Sequence, residues 1–317
     1  FKPLHRYNLN EEVLEGTMAK IAVIGAGYVG LTTGACLAHL GHHVIVADNN
    51  DDRVKSLKAG VIPFFEPGLD ELVSDVVESE RLSFVLGAAN ASANAEFHFL
   101  CLPTPARTDG GSDLSYFEEG INEILSVLQP NSIVINKSTV PLGTAKKLQE
   151  DIARTDVHVV SNPEFLSEGN AIRDFLEPSR IVIGANSREH SERVAKLYSR
   201  LNAPILVSSW ESAELIKHTA NAFLAMKLTF VNEIATLCEI SGADIKDVTD
   251  GIGYDPRIGS DYMSAGPGWG GSCFPKDSAS LAQVARSFGF DFTLLEHTID
   301  LNQKHLRMIE IMLYAGS

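Results

Sequence analysis

Over the first two thirds of the chain, short apolar runs are separated by longer amphipathic or loop segments. Short runs bounded by turn residues are typical of buried strands, and helical segments between them are typical of a parallel sheet. This alternation predicts an α/β fold with a Rossmann-like, doubly wound parallel sheet. We expect its strands at residues 20–24, 44–47, 82–86, 97–102, 132–136, 157–160, 180–183 and 204–207.

The pattern changes after the last predicted strand. Residues 212–241 contain neither proline nor glycine and carry apolar side chains on most faces, as at Leu215, Phe223, Phe230 and Leu237. A helix that is apolar nearly all round is buried in a core or an interface. We expect an all-helical central domain over residues 209–317, after a sheet domain over residues 18–208 and an extension without function over residues 1–17. Further helices are predicted at 244–252, 277–288 and 292–313.

A glycine-rich turn lies between the first predicted strand and a predicted helix over residues 31–40. It has the pattern G-x-G-x-x-G, and an acidic residue follows after the second strand, which is a strong dinucleotide fingerprint. The glycines let a pyrophosphate approach backbone N–H groups at the helix start, and the carboxylate is placed to bind a ribose. Because a carboxylate there repels a 2′-phosphate, NAD is favoured over NADP. The predicted cofactor-binding residues are Gly25, Gly27, Tyr28, Val29, Gly30 and Asp48.

Three predicted strands end in segments of unusual chemistry: 101–105, 137–141 and 161–169. Each segment alone could be a turn stiffened by proline. The carboxyl ends of parallel strands meet at one edge of a sheet, which is where such folds bind ligands. Together, the three segments predict the walls of a ligand pocket.

A second glycine-rich stretch, residues 266–277, surrounds a cysteine. Four glycines in six positions indicate a loop that lets the backbone approach something closely, and Pro275 is tolerated at the first position of a helix. Cys273 is therefore expected near a helix N-terminus, where the helix dipole and Lys276 favour a nucleophilic thiolate. The alternative interpretation is a buried, inert cysteine in a tight turn.

Composition narrows the class of protein. The formal charge of −15 argues against binding to nucleic acid or to an anionic membrane surface. The four cysteines are scattered, without the spacing of a disulfide framework or a zinc site. Since no apolar run approaches the roughly 18 residues that span a bilayer, and the start lacks the apolar core of a signal peptide, we expect a soluble cytoplasmic protein without a metal site.

The motifs, taken together, resemble the UDP-glucose/GDP-mannose dehydrogenase family from about Met18 to the end of the chain. The resemblance is carried by residues 25–30, the loop at Thr104, residues 137–141 and 162–169, the pair Lys217 and Asn221 four apart on one helix, and residues 270–277. Phe274 is the residue that UDP-glucose members usually show. The family normally continues into a further α/β domain that closes over the uridine nucleotide, and this chain stops before it.

The resemblance implies oxidation of UDP-glucose to UDP-glucuronate by NAD, through a covalent intermediate on Cys273. The first base is either Lys217 or a water held by Asp277 and Thr139. Water directed by Glu164 hydrolyses the thioester, and Lys217 and Asn221 stabilise oxyanions. Further cofactor contacts are implied for Arg53, Thr104, Thr139, Glu168 and Lys276. Substrate contacts are implied for Glu164, Phe165, Leu166, Glu168, Lys217, Asn221, Arg257, Tyr262 and Gly270.

The resemblance also implies a homodimer through the long helix, in which Arg257 serves the active site of the neighbouring subunit. Three alternatives stay open. One is a nucleotide-sugar dehydrogenase for GDP-mannose or UDP-N-acetylmannosamine. The second is a hydroxyacid-type dehydrogenase, which shares a lysine and an asparagine four apart but has no use for a glycine-wrapped cysteine. The third is a non-catalytic NAD-binding module.

Overall fold

The computed structural model describes residues 6–7, 18–108 and 110–315, and most of the predicted N-terminal extension lies outside these ranges. The described residues form nine strands in one sheet. The strands are β1 (Arg6–Tyr7), β2 (Lys20–Ile24), β3 (His43–Asp48), β4 (Leu82–Leu86), β5 (Phe97–Leu100), β6 (Ser132–Asn136), β7 (Val157–Ser161), β8 (Ile181–Ala185) and β9 (Ile205–Ser208).

The strand order is β1-β9-β8-β7-β6-β5-β2-β3-β4. β2 lies between β5 and β3, so the chain reverses direction across the sheet beside β2, and this switch point is where such sheets bind ligands. The predicted α/β, Rossmann-like fold is confirmed.

The sequence predicts a parallel sheet, but two of the strand pairs in the structure are antiparallel. β8 runs antiparallel to β7 with the register Val160 to Ala185 and Ser161 to Gly184, and β1 runs antiparallel to β9. β8 and β9 are parallel to each other. An apolar run predicts a buried strand but carries no information about its direction, which is why this reversal was missed.

Both faces of the sheet are covered, which explains the continuous apolar runs of its strands. Along β2, Ile21 and Val23 belong to one apolar cluster, whereas Ile24 belongs to a cluster on the other face. Successive side chains of a strand point to opposite faces, so a strand buried on both sides has no polar positions.

Helices connect the strands and continue to the end of the described chain. They are α1 (Tyr28–His39), α2 (Asp51–Lys58), α3 (Leu69–Glu78), α4 (Ala88–Ser92), α5 (Ser115–Ile124), α6 (Thr144–Ile152), α7 (Ala171–Leu176), α8 (Arg188–Lys196), α9 (Trp210–Ser241), α10 (Ile245–Gly253), α11 (Phe274–Ser287) and α12 (Thr293–Ala315). Two helices begin three residues earlier than predicted. Residues 28–30 form the first turn of α1 rather than part of the preceding turn, and Phe274 rather than Asp277 begins α11.

The chain divides into two compact units. The sheet unit comprises Phe1–Thr104 and Asp113–Lys217, and the helical unit comprises Pro105–Ser112 and His218–Ser317. The division falls within α9, between Lys217 and His218. In the helical unit, Ala222 of α9 packs with Leu281, Ala282 and Leu295 of α11 and α12.

α9 is less buried than its composition predicts. Phe223, Phe230, Leu237 and Ile240 are all more than half exposed in the single chain, and Leu215 is also exposed. The first three are seven residues apart in sequence, so they line one side of the helix. The core of this chain therefore does not account for the apolar character of α9.

Candidate functional site

The dinucleotide turn, residues 25–30, follows β2 and begins α1. A Cβ atom at Gly25 would lie 2.5 Å from the carbonyl oxygen of Cys101, and one at Gly30 would lie 1.8 Å from the carbonyl oxygen of Gly25. Gly25 also has a positive φ of 99°. Glycine is required at both positions by the packing of the turn against its own backbone and against the end of β5.

Gly27 differs from its two neighbours in the turn. Its φ is −77°, and a Cβ atom there would have nothing within 4 Å. Gly27 is the N-cap of α1, no described side chain caps the helix, and its first turn carries no acidic residue. Open space beside uncapped N–H groups fits a bound pyrophosphate, so these residues suit the predicted dinucleotide.

Asp48 ends β3 beside the dinucleotide turn. Its Oδ2 accepts hydrogen bonds from the Ala26 N–H and from Arg53 Nη1, both at 2.9 Å, and its Oδ1 accepts one from the Asn50 N–H at 2.9 Å. Arg53, which the resemblance implied as a cofactor contact, is therefore the ion-pair partner of Asp48. The carboxylate is held in place before any ribose binds.

Two of the three predicted pocket walls are joined in the sheet unit. Thr104 Oγ1 donates to the carbonyl oxygen of Thr139 at 2.8 Å, and Ser138 Oγ accepts from the Leu102 N–H at 2.9 Å. Thr139 also lines a small pocket with Lys217, together with Asn136, Ser138, Val140, Ser161, Pro163 and Glu214. The segments after β5, β6 and β7 thus contribute to one edge of the sheet, as the sequence predicted.

Glu164 and Lys217 form a buried ion pair in the same unit. Lys217 Nζ lies 2.9 Å from Glu164 Oε1, and both side chains are less than a tenth exposed. Glu164 Oε2 accepts from the Leu166 N–H at 2.6 Å, and Lys217 Nζ lies 5.5 Å from the centre of the Phe165 ring. The pairing keeps the ammonium oriented, because removing either partner would leave a buried charge uncompensated.

Lys137 is a buried cation to which the sequence assigned no role. Its Nζ lies 3.2 Å from Asn162 Oδ1 and sits over the rings of Phe175 and Tyr198. Burial lowers the pKa of Lys137 to about 8. The lysine was visible in the sequence, but its burial depends on side chains from distant segments.

In the helical unit, Cys273 is exposed and is the N-cap of α11. Ser272 Oγ lies 3.5 Å from its Sγ, and Pro275 lies in the first turn of the helix. This geometry confirms the prediction that Cys273 lies at a helix N-terminus. The alternative, a buried cysteine in a tight turn, is wrong because Cys273 is exposed. The other three cysteines, Cys36, Cys101 and Cys238, are buried.

The cysteine loop, residues 266–273, is held by side chains from two helices. Asn302 of α12 accepts from the Trp269 N–H and donates to the Trp269 carbonyl oxygen, both at 2.9 Å. Trp269 Nε1 donates to Thr229 Oγ1 at 2.8 Å, and Asn232 Oδ1 accepts from the Gly266 N–H at 2.9 Å. These anchors were missed, because nothing in the sequence links residues of α9 and α12 to the loop.

Asp277 is fully buried in the first turn of α11. Its Oδ2 accepts from Asn221 Nδ2 at 2.6 Å, and its Oδ1 accepts from Lys276 Nζ at 2.7 Å. Asn221, Lys276 and Asp277 are thus brought together as one polar cluster. The ammonium of Lys276, which we expected to favour the Cys273 thiolate, is engaged by the neighbouring carboxylate.

The remaining predicted substrate contacts lie on more open parts of their units. Arg257 makes a bidentate ion pair with Asp255, with Nη2 to Oδ2 at 2.6 Å. Tyr262 has a left-handed φ of 59°, which is strained for a non-glycine residue, and its ring lies 6.4 Å from that of Phe274. Glu168 and Gly270 are exposed.

Both units match models of one protein family. Residues 19–202 match its NAD-binding domain, and residues 211–304 match its central domain. The chain belongs to the UDP-glucose/GDP-mannose dehydrogenase family. The predicted resemblance and the predicted NAD cofactor are therefore confirmed.

Individual relatives agree with this family assignment. The chain is 44% identical over 292 residues to UDP-glucose 6-dehydrogenase TuaD of Bacillus subtilis (strain 168), covering 90% of this chain and 63% of that protein. It is 46% identical over 298 residues to a UDP-glucose 6-dehydrogenase of Rhizobium meliloti (strain 1021), covering 91% and 68%. A UDP-glucose dehydrogenase structure from Pyrobaculum islandicum superposes with a TM-score of 0.87 at 37% identity, covering 92% of this chain and 69% of that one.

This chain therefore spans about two thirds of the length of these family members. Among the helices that the structure describes, none is both long enough and apolar enough to cross a membrane.

Proposed function

We propose that this chain contributes the cofactor-binding and thiol chemistry of an enzyme that oxidises UDP-glucose to UDP-glucuronate. The exposed Cys273 carries this proposal, because the sequence places it in a glycine-rich loop and the loop is fixed by Asn302 and Thr229. A nucleophilic thiol is useful where an aldehyde must be captured and oxidised again before it is released. The names of the relatives support UDP-glucose as the substrate.

Two hydrides leave the same carbon in this reaction. Gly25, Gly27 and Gly30 of the dinucleotide turn would hold NAD, which would supply the hydride acceptor for each oxidation. In the first, the sugar alcohol loses a proton and a hydride and becomes an aldehyde. The Cys273 sulfur then adds to the aldehyde carbon, the resulting thiohemiacetal loses the second hydride, and water releases the acid and restores the thiol.

Residues of the sheet unit have distinct roles in this proposal. The Lys217 ammonium, held by Glu164, donates a hydrogen bond to the oxyanions that form at the reacting carbon. In its neutral form, Lys217 is also a candidate for the first base. The Glu164 carboxylate directs the water that hydrolyses the thioester. Thr139 lines the same pocket as Lys217 and adds a hydroxyl there.

In the helical unit, we propose that Asn221 is a second oxyanion donor, oriented by its hydrogen bond to Asp277. Lys276 and Asp277 form an ion pair that fixes the first turn of α11 behind the cysteine. Tyr262 and Gly270 contact the sugar nucleotide, and Glu168 and Lys276 contact the cofactor. The reactive thiol and the oxyanion donor would thus come from neighbouring helices of one unit.

We further propose a cytoplasmic homodimer. The exposed apolar side chains Phe223, Phe230, Leu237 and Ile240 lie on α9 and would be buried against a partner copy. Arg257 is exposed and would serve the partner's site. Light scattering on the chain and on a Phe230→Glu variant tests the dimer: a dimer that the substitution dissociates is expected, and a wild-type monomer at micromolar concentration contradicts it.

The reaction is tested by counting NADH formed per sugar with the enzyme that contains these units. UDP-glucose should give two NADH per sugar, whereas GDP-mannose and UDP-N-acetylmannosamine should give much slower turnover. One NADH per sugar would indicate a simple dehydrogenase, and none would indicate a binding module. Cys273→Ser should abolish acid formation while NAD binding remains.

A further inference from the structure

Glu66 is a buried carboxylate that belongs to none of the groups described above. It lies in the loop between α2 and α3 and is only 3% exposed. Its Oε2 accepts hydrogen bonds from the Tyr28 hydroxyl at 2.5 Å and from the Gly169 N–H at 2.8 Å, and its Oε1 accepts from the Ala171 N–H at 2.8 Å. One carboxylate thus receives three donors from two distant segments of the sheet unit.

The first of these segments is the dinucleotide turn. Tyr28 directly follows Gly27, the N-cap of α1 with open space beside it, and begins the helix whose N–H groups suit a pyrophosphate. The Tyr28 ring packs against Phe64 with centroids 5.3 Å apart. Burial and the neighbouring Glu66 raise the pKa of Tyr28, so its hydroxyl stays protonated and donates to the carboxylate.

The second segment is the loop that carries Glu164. Gly169, with a left-handed φ of 87°, ends this loop, and Ala171 begins α7. The loop has a separate attachment at Ser167, whose N–H and hydroxyl both donate to Asp174 Oδ2, at 2.8 and 2.6 Å. The Ser167 N–H and hydroxyl attach the loop to α7, whereas its carbonyl oxygen accepts from the Tyr28 hydroxyl at 3.3 Å. Glu66 connects Gly169 and Ala171 to the same hydroxyl.

We propose that Glu66 is a positioning residue that couples NAD binding at the dinucleotide turn to the ordering of residues 162–169. A buried carboxylate keeps its hydrogen-bond donors, because an unsatisfied buried charge is costly. A pyrophosphate that fixes the start of α1 also fixes Tyr28, and through Glu66 it restrains the N–H groups of Gly169 and Ala171. The loop that carries Glu164, the partner of Lys217, is then more ordered when the cofactor is bound.

This inference rests on NAD binding and not on the identity of the sugar. A purely structural role for Glu66 would make the loop equally ordered with and without NAD. The two possibilities differ in one observable, the change in backbone exchange at Gly169 and Ala171 when NAD is added.

Hydrogen exchange of these two amides, measured with and without saturating NAD, tests the coupling. NAD affinity is titrated separately for each variant, and thermal unfolding checks that each one folds. Tyr28→Phe removes the hydroxyl that binds both Glu66 and the Ser167 carbonyl oxygen, and it leaves the two bonds from Glu66 to the loop. Glu66→Gln keeps the shape but replaces an acceptor with a donor facing N–H groups. Ser167→Ala is the matched control, because it removes the hydroxyl that binds Asp174 and keeps the backbone carbonyl that faces Tyr28.

In the wild-type chain, NAD should slow exchange at Gly169 and Ala171 by about tenfold, the size of one net hydrogen bond. Tyr28→Phe should bind NAD more weakly, because coupling is reciprocal, and even at saturating NAD it should lose most of this slowing. Glu66→Gln should exchange fast in both states, and Ser167→Ala should keep the NAD-dependent slowing. If NAD binds the wild type without slowing these amides, or if Tyr28→Phe slows them as much as the wild type, the coupling is wrong. Should Glu66→Gln not fold, slowing in Tyr28→Phe equal to that of the wild type still overturns the coupling.

Discussion

The dinucleotide turn and the cysteine loop are both glycine-rich and both lead into a helix, but their glycines serve different purposes. In the turn, Gly25 and Gly30 are so close to backbone atoms that no side chain fits. In the cysteine loop, Gly270 and Gly271 have nothing within 4 Å of an added Cβ atom, although Gly271 has a positive φ of 77°. At Gly268, an added Cβ atom would lie 2.8 Å from Asn302 Oδ1, a side-chain atom of α12. The turn is thus closed by its own backbone, whereas the loop is open at Gly270 and Gly271 and meets side chains of α12 at Gly268.

This difference determines what holds each segment in place. The turn is fixed by backbone packing against the strand end at Cys101, and it leaves space only at Gly27. The loop has few backbone contacts of its own and is fixed by the side chains of Asn302, Thr229 and Asn232. Glycine substitutions should therefore lower the free energy of unfolding most in the turn. In the loop, substitutions of the anchoring side chains should lower it more than glycine substitutions do.

The cysteines give the largest expected contrast. Cys101 backs the dinucleotide turn, and burial raises its pKa to about 12, whereas Cys273 is exposed in the cysteine loop. A raised pKa means less thiolate at any pH below it, and the thiolate is the species that reacts. Iodoacetamide at pH 8 should label Cys273 at least about 1000-fold faster than Cys101. Peptide mass spectrometry over time measures this ratio, and comparable rates would show that the turn is not closed.

Gly30→Ala should be the most damaging single substitution of the two segments. Its Cβ atom would overlap the Gly25 carbonyl oxygen, which cannot move aside without unfolding the turn. We expect a loss of about 3 kcal/mol or more in the free energy of unfolding, measured by urea titration. Gly270→Ala is the matched control and should change stability by less than about 0.5 kcal/mol. Equal losses would erase the distinction between a closed turn and an open loop.

Asn302→Ala tests whether side chains hold the cysteine loop. It leaves the buried N–H and carbonyl groups of Trp269 unpaired, so we expect a loss of about 2 kcal/mol in the free energy of unfolding. The exposed neighbour Gln303→Ala is the control and should have little effect. If Asn302→Ala is as stable as the wild type and iodoacetamide labels Cys273 at the same rate, the loop does not depend on this side chain for its conformation.

Gly27→Ala should show that the turn has one open position. Because its φ is ordinary and the space around it is free, the substitution should cost only about 0.5 kcal/mol of stability at a helix N-cap. The added methyl group would occupy the space beside the uncapped N–H groups and weaken NAD binding by about tenfold, or about 1.4 kcal/mol. Calorimetric titration measures the dissociation constant. Gly251→Ala is the control: an added Cβ atom there also has nothing within 4 Å, and the dissociation constant for NAD should not change.

The sequence predicted most elements, because apolar runs bounded by turn residues define strands well. β4 and β6 have the predicted bounds, and the G-x-G-x-x-G pattern located the turn before α1. Helix starts were predicted less well. Gly27 and Cys273, as N-caps, allow α1 and α11 to begin earlier than their apolar periodicity shows.

The sequence named candidate site residues but not the pairs that they form. Lys217, Asn221, Glu164 and Asp277 were named, yet nothing in the sequence indicated that Glu164 would pair with Lys217 or that Asn221 would bind Asp277. Such pairs depend on how distant segments pack, and local patterns carry no information about that. For the same reason, Glu66 and the contacts of Asn302 were found only in the structure.

The reversed direction of β8 affects where the long helix can begin. β8 overlaps β7 by two residue pairs at their carboxyl ends, and β9 runs alongside β8, so the chain leaves β9 heading back toward the body of the sheet. Trp210, which begins α9, donates from Nε1 to the Val159 carbonyl oxygen at 2.9 Å, and Glu214 accepts from the Gly143 N–H at 2.6 Å. The reversed direction of β8 thus determines the path of the chain, because it places the start of α9 beside β7 and α6. Two helical turns later, Lys217 lies within reach of Glu164, the carboxylate that follows β7.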